Sequence, residues 1–273
     1  LCCQDTTAFV NGGQPILNTN STGITTTSGT RHDPYASNIV LALAMNGSNG
    51  GTTFTDIHPT IKGSGSAKTI TVQNNVQTST AQSKYYGSSA LFDGTNDRLD
   101  VGNSSDYAFG TGDYTVEMWV YHTSISDQQT YFSDEFGNHA GVYFYKDTNH
   151  KVGLYYGSQI VTGATSITAD EWHHIAVTRT GGTSRVFLDG VLDGSGADTT
   201  DLTQTTYHIA DSDGGSSGEF FGYIQDVRVY KGVAKYSGNF TVTAPSVEPI
   251  SAVTPGSITA NGNAAATNFN PFT

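Results

Sequence analysis

Side chains suited to chemistry are few in this chain and fall in short stretches. Trp119, Tyr121, Tyr143, Tyr145 and Tyr155 recur at strand-like intervals. Such aromatics, flanked by hydrogen-bonding groups, suit the apolar face of a sugar ring, although a large sheet core also consumes aromatics. His173 and His174 are adjacent. Imidazole is a common metal ligand, but consecutive strand residues face opposite ways, so the pair is not set to grip one ion. The expectation is that one of them satisfies a backbone group near a sheet edge while Trp172 fills the end of the core. Asp211 to Gly215 (DSDGG) starts like an EF-hand loop, yet the twelfth position, which needs a bidentate Glu, is Gly222. No G-x-S-x-G elbow, H-E-x-x-H pair or phosphate-binding loop is present.

Short strands must position these groups. The clearest are in DEWHHIAVTRTGGTSRVFLDG, residues 170–190. Ile175 and Val177 alternate with His174, Ala176 and Thr178, the period of a half-buried strand. Gly181-Gly182 supplies a turn with positive φ, and Val186 and Leu188 then oppose Arg185 and Phe187 on the return arm. Asp189-Gly190 makes a second tight turn. Upstream, Ile39 to Leu43 is a continuous apolar run that suits a strand buried on both faces. Lys68 to Val76, Asp97 to Val101, Tyr114 to Tyr121, Gly141 to Tyr145, Val152 to Tyr156, Tyr207 to Ala210 and Tyr223 to Tyr230 read as further strands. In YTVEMWVY, Val116, Met118 and Val120 share one face, and Glu117, Trp119 and Tyr121 the other.

The 273 residues include 32 glycines and are rich in Ser, Thr and Asn, a composition that disfavours long helices. The expected fold is all-β, an antiparallel two-sheet sandwich over residues 33–245. Residues 1–32 read as an irregular linker or the end of a preceding module, and 246–273 as an irregular tail. A net charge of −12 argues against nucleic acid and anionic membrane as partners. Cys2 and Cys3 are adjacent and cannot staple a loop. No apolar segment suits a signal peptide or a membrane span, and the start reads as internal to a longer polypeptide.

Four stretches carry a family resemblance in order and interval: SSALFDGTNDRLDV (88–101), DYTVEMWVY (113–121), residues 170–190, and GYIQDVRVYKG (222–232). Together they resemble the laminin-G-like branch of the concanavalin A-like lectin/glucanase jelly roll. Gln225 departs from the family's usual Ile-Asp pair in the last strand and leaves Asp226 in place. Glucanases of this fold carry E-x-D-x-E, with carboxylates on one strand face. Here Glu117 precedes Met118 and Trp119, and Tyr121 stands where the second Glu would be, so the expectation is a protein that is not an enzyme. The resemblance also implies a structural Ca2+ at the rim, held by carboxylates. The candidates are Asp226, Asp97, Asp211 and Asp213, with Asp93 in the same Asp-rich loops; the alternative is that Asp93, Asp189 and Asp213 are turn residues that cap their own backbone before glycine.

DPYASNIVLA (33–42) and the tail TPGSITANGNAAATNFNPFT are similar to structural proteins of tailed bacteriophages, especially of marine cyanophages. That resemblance implies a virion module on the particle surface, extracellular, in a fibre, appendage or capsid decoration. It would attach to a host-surface glycan or protein, pack beside other virion proteins, and be multimeric in the particle. A purely architectural virion protein and a carbohydrate-binding accessory module of a secreted bacterial enzyme are the alternatives.

Overall fold

The computed structural model describes residues 33–125, 128–134, 143–211 and 218–242, together with the backbone at 16–18 and 25–27; at 143–146 the description is of backbone alone. Strands β1 (Ile16–Asn18) and β2 (Thr25–Thr27) pair antiparallel, within a stretch whose composition suggested no strand. All other described residues belong to one compact unit, His32–Glu248. The proposed tail 246–273 and Asp213 lie outside the described residues.

The unit is all-β, with two antiparallel sheets in a sandwich. Its strands are β3 (Ile39–Leu43), β4 (Ile70–Gln73), β5 (Gln77–Ser79), β6 (Ser89–Asp93), β7 (Arg98–Val101), β8 (Tyr114–His122), β9 (Gln129–Ser133) and β10 (Tyr143–Lys146). They continue with β11 (Lys151–Tyr156), β12 (Ser158–Ser166), β13 (Trp172–Thr180), β14 (Thr183–Leu188), β15 (Val191–Ala197), β16 (Tyr207–Ile209) and β17 (Phe221–Lys231). One sheet runs β15-β14-β13-β8-β17-β6-β5, with β3 also paired to β17, and the other runs β12-β11-β10-β9-β16-β7-β4. No helix of the described residues is long and apolar enough to cross a membrane.

The core follows from the period of 2. Val116, Met118 and Val120 of β8, Ile175 and Val177 of β13, and Ile224, Val227 and Val229 of β17 meet Leu99, Val101, Tyr131, Leu154, Tyr207 and Ile209 of the facing sheet. Phe132 stacks on Tyr207 with centroids 4.6 Å apart. The hairpin of residues 170–190 forms as its punctuation predicts. Gly181 and Gly182 (φ 56° and 72°) join Thr180 to Thr183, and Asp189 and Gly190 (φ 50° and 81°) join Leu188 to Val191. Strand β3 is buried on both faces. One side enters the main core, while Ile39 and Ala42 pack with Tyr230, Ile57 and Ile61. The short helix α1 (His58–Lys62), ended by Gly63 in the left-handed region (φ 77°), supplies part of that cover.

Strand β17 serves two neighbours by breaking its own phase. Its first half pairs with β6 and its second with β3, while β8 runs beside both. Between Gln225 and Arg228 the register to β8 shifts by one residue, and Asp226 takes φ 54°. This is a β-bulge. It returns Val227 and Val229 to the core and turns Arg228 outward, where unbroken alternation after Ile224 would do the reverse.

Candidate functional site

The outward face of the eight-stranded sheet collects the residues able to recognise a ligand. Across β13, β8 and β17 they form rungs: Trp172, Tyr121 and Tyr223; then His174, Trp119 and Gln225; then Ala176, Glu117 and Arg228. The first rung is a row of three half-buried aromatic side chains. The Tyr121 ring centroid lies 5.7 Å from Trp172 and 5.7 Å from Tyr223, with the rings tilted or edge-on. Tyr85 stands beside the row, 36% exposed. Trp172 therefore does not fill the end of the core. It shares the parity of His174 and faces outward against Tyr121.

The second rung is closed over. Trp119 is buried, with Lys84 Nζ 4.3 Å from its ring and Tyr85 edge-on at 5.5 Å. Gln225 holds that cover in place: its Oε1 accepts from Lys84 N at 3.0 Å and from Tyr85 N at 2.9 Å, and its amide donates to Ser88 O. The family departure at Gln225 thus has a structural task, pinning the loop over Trp119.

The third rung carries buried charge beneath the segment 233–242, which crosses the face as a strap. Thr178 Oγ1 donates to Tyr236 O at 3.0 Å, and Phe240 N to Gly190 O at 2.8 Å. Gly190 is required there, since a Cβ would overlap the Phe240 carbonyl. Tyr236 stacks on Phe240 at 3.5 Å, and Phe187 packs 5.5 Å from Phe240. Glu117 receives Lys235 Nζ at Oε1 and the Tyr236 hydroxyl at Oε2, 2.7 Å away; His174 Nε2 is 3.6 Å from the same Oε2. Burial pushes the Glu117 carboxyl up, but Lys235 and His174 outweigh it and hold the group well below the usual carboxylate range. Arg228 lies between Asp226 (Nε to Oδ1, 2.9 Å) and Asp33 (Nη1 to Oδ2, 3.7 Å), and Tyr230 donates to Asp33 at 2.6 Å. Burial and Glu117 push the Asp226 carboxyl up against the pull of Arg228. Between strap and sheet lies a cavity of about 250 Å3, lined by Asp33, Glu117, Trp119, His174, Asp226, Arg228, Lys235, Tyr236 and Phe240 among others.

The five aromatic candidates do not form one platform. Trp119 and Tyr121 belong to the eight-stranded sheet, whereas Tyr143, Tyr145 and Tyr155 belong to the seven-stranded one. There the register sets Tyr143 opposite Tyr155 and Tyr145 opposite Gly153, and the side chains at 143 and 145 lie outside the described residues. The row around Tyr121 is completed instead by Trp172 and Tyr223. Sequence parity was the signal that could have found them.

The described carboxylates proposed for calcium do not fit a cation cage. Asp97 accepts from Asn75 N at 2.7 Å and Asp93 N at 2.9 Å, closing a turn. Asp211 faces Arg98 at 3.8 Å, and Asp226 faces Arg228. Two of these three carboxylates already meet a guanidinium, the opposite of what a cage of oxygens around Ca2+ requires. No group of three or more His, Cys, Asp or Glu among the described residues could hold a metal ion. His173 satisfies a side chain rather than a backbone group: its Nδ1 is 2.7 Å from Asp189 Oδ2 and its Nε2 2.9 Å from Thr168 Oγ1.

A family model described as the concanavalin A-like lectin/glucanases superfamily, of laminin G type, matches residues 93–235. The chain belongs to this superfamily, and its fold is lectin-like. No curated protein matches the sequence. Among solved structures, domain 4 of AbnA, a GH43 extracellular arabinanase from Geobacillus stearothermophilus in complex with arabinotriose, superposes with TM-score 0.50 at 15% identity, over 71% of this chain and 93% of that one. The botulinum neurotoxin serotype D binding domain gives TM-score 0.53 at 12% identity, over 74% and 50%. A structure of botulinum neurotoxin type C, whose cell entry depends on interaction with two ganglioside molecules, gives 0.51 at 12%, over 73% and 49%. The chain spans about half the length of the two neurotoxin chains, and the likeness is one of fold.

Proposed function

We propose that this chain is a non-catalytic recognition module of a bacteriophage virion, carried on a fibre, appendage or capsid decoration, that attaches the particle to a host-surface glycan. The observation that carries this reading is the row Trp172, Tyr121 and Tyr223, three aromatic side chains abreast on neighbouring strands and left half-exposed. Buried aromatics need no partner beyond the core, whereas a half-exposed row on a lectin-like face offers the apolar surface onto which sugar rings pack. Glu117 argues for the non-catalytic part. Its carboxylate is committed to Lys235, Tyr236 and His174, and no second carboxylate stands at Tyr121, so the acid and nucleophile pair of a retaining glycosidase is missing from this strand. The arabinotriose complex and the ganglioside dependence of two structural neighbours support a sugar as ligand. The virion setting rests on the sequence resemblance. Many copies on one particle would turn weak single sites into firm attachment.

The test is the full chain displayed on a multivalent carrier, applied to a glycan array and to candidate host cells. Saturable binding is expected, and Tyr121→Ala with Trp172→Ala should lower the apparent affinity at least tenfold, about 1.4 kcal/mol. A folded multivalent protein that binds no surface would overturn attachment and leave an architectural role.

A further inference from the structure

We infer that the Asp170 carboxylate sets the specificity of the aromatic row, selecting neutral, hydroxyl-rich glycans over sialylated, uronic or sulfated ones. This rests on the glycan reading and adds the chemical class of the ligand.

Asp170 lies two residues before Trp172, in the left-handed region (φ 63°). Its N–H donates to His122 O at 2.9 Å, which fixes it at the end of β8, beside Tyr121. The turn that carries it is tied down a second time: His173 lies between Asp189 Oδ2 (Nδ1, 2.7 Å) and Thr168 Oγ1 (Nε2, 2.9 Å). The carboxylate is therefore presented by a braced turn, as a group that orients a ligand must be.

Other aspartates at turns in this chain close their own backbone. Asp93 accepts from Thr95 N at 2.8 Å, Asp147 from Asn149 N at 2.9 Å, and Asp198 from Thr200 N at 3.1 Å. Asp170 does not. Its side chain accepts no backbone N–H among the described residues and stands exposed beside the Tyr121 hydroxyl. Gln82 Nε2 approaches the same hydroxyl at 3.4 Å. The polar edge of the central ring is thus bracketed by a carboxylate and an amide, while Trp172 and Tyr223 flank its face.

A sugar stacked on such a row puts its C–H face on the rings and its hydroxyls at the rim. An ionised carboxylate only accepts, so it takes hydrogens from the ligand's hydroxyls, and such charge-assisted bonds are the stronger kind. An acidic sugar would bring charge of the same sign. The surroundings add to that repulsion. Burial, Asp170 and Tyr223 all push the Tyr121 phenol up, and Glu171 is a second exposed carboxylate on the same turn. The neighbouring cations are engaged elsewhere: Lys84 Nζ lies 4.3 Å from the centre of the Trp119 ring, and His173 sits between Asp189 and Glu171.

The experiment is the array with the full chain on its multivalent carrier, read on pairs of glycans that differ only by a terminal sialic acid, a uronic acid or a sulfate. The glycans bound are expected to be neutral. The added acid should lower apparent affinity at least about fivefold at low salt, and high salt should shrink that penalty. Asp170→Asn keeps a residue that tolerates the left-handed backbone and removes no backbone hydrogen bond, so its melting temperature should match the parent's. It should bind the neutral member of each pair about tenfold more weakly and discriminate less against the acidic one. Equal binding of both members by the parent, a comparison that needs no variant, would overturn the inference and leave the glycan reading standing. So would an Asp170→Asn protein that binds and discriminates as the parent does. A folded chain that binds no glycan at all would take both down.

Discussion

Arg179→Met is expected to lower the unfolding free energy by about 4 kcal/mol, a large part of the 5–15 kcal/mol typical of a domain. Arg179 is fully buried and, sharing the parity of Ile175 and Val177, points into the end of the sandwich. Its Nε donates to Gly112 O at 2.9 Å, Nη1 to Thr200 O at 2.8 Å and Nη2 to Gly110 O at 2.5 Å. Asp198 Oδ2 lies 3.7 Å from Nη1, and the guanidinium carbon sits 5.0 Å from the centre of the Tyr114 ring. One side chain thus ties the loops on either side of the core's end to β13. Methionine would fill the space but leave three carbonyls without these donors and the buried Asp198 without its counter-charge. Urea unfolding measures the loss; a change below about 1 kcal/mol would mean that water replaces all four interactions.

Glu117→Gln is expected to cost about 3 kcal/mol and to loosen the strap. The amide keeps the shape but leaves Lys235, itself largely buried, with no anion at its end. Acid should act on the same contact. Because the folded carboxyl is held below its ordinary value near 4.5, its stabilisation is complete above that value and is lost as the pH falls below it toward the folded pKa. Melting temperatures of the parent should therefore drop more steeply in acid than those of the variant. Limited proteolysis after Lys235 should be faster in the variant at neutral pH. Parallel melting curves with no change in cleavage would show that the strap is held by its aromatic stack alone.

Much of the fold could be read from residue types because turn chemistry and alternation agreed. The Gly181-Gly182 and Asp189-Gly190 hairpins and the two faces of β8 are of this kind. Strands β12 and β15 escaped notice because SQIVTGATS and VLDGSGA are polar and glycine-rich. Their glycines answer to something no local pattern displays: a Cβ at Gly194 or Gly196 would overlap the carbonyls of Thr162 or Ile160 on the other sheet's edge strand. No local pattern gives Arg179 its role, because its carbonyl partners, Gly112, Thr200 and Gly110, are far away in sequence. The site was legible in part. Trp119, Tyr121 and Asp226 were singled out, and all three lie on the outward face, although Asp226 and Trp119 line a cavity rather than a calcium cage or an open platform. Arg228 was obscured by the bulge at Asp226, which reverses the face of everything after it. Lys235 and Tyr236 lie beyond the last strand, where nothing periodic announces that the chain folds back.

The cavity has one more property, which is mechanical. Its walls include Asp33, Pro34 and Tyr35 from the beginning of the compact unit, and Phe240, Thr241 and Val242 from close to its end. Entry and exit of the unit meet at the same place, the geometry that lets a domain sit within a longer chain without parting what lies on either side. A pull between these two ends would not be shared along the sandwich. It would fall first on the strap and on the Asp33–Arg228 contact, peeling them apart a few bonds at a time while both sheets stay whole. Tension along the chain and occupancy of the cavity would then oppose each other, so a bound ligand would act as a clasp and a strong pull as its release.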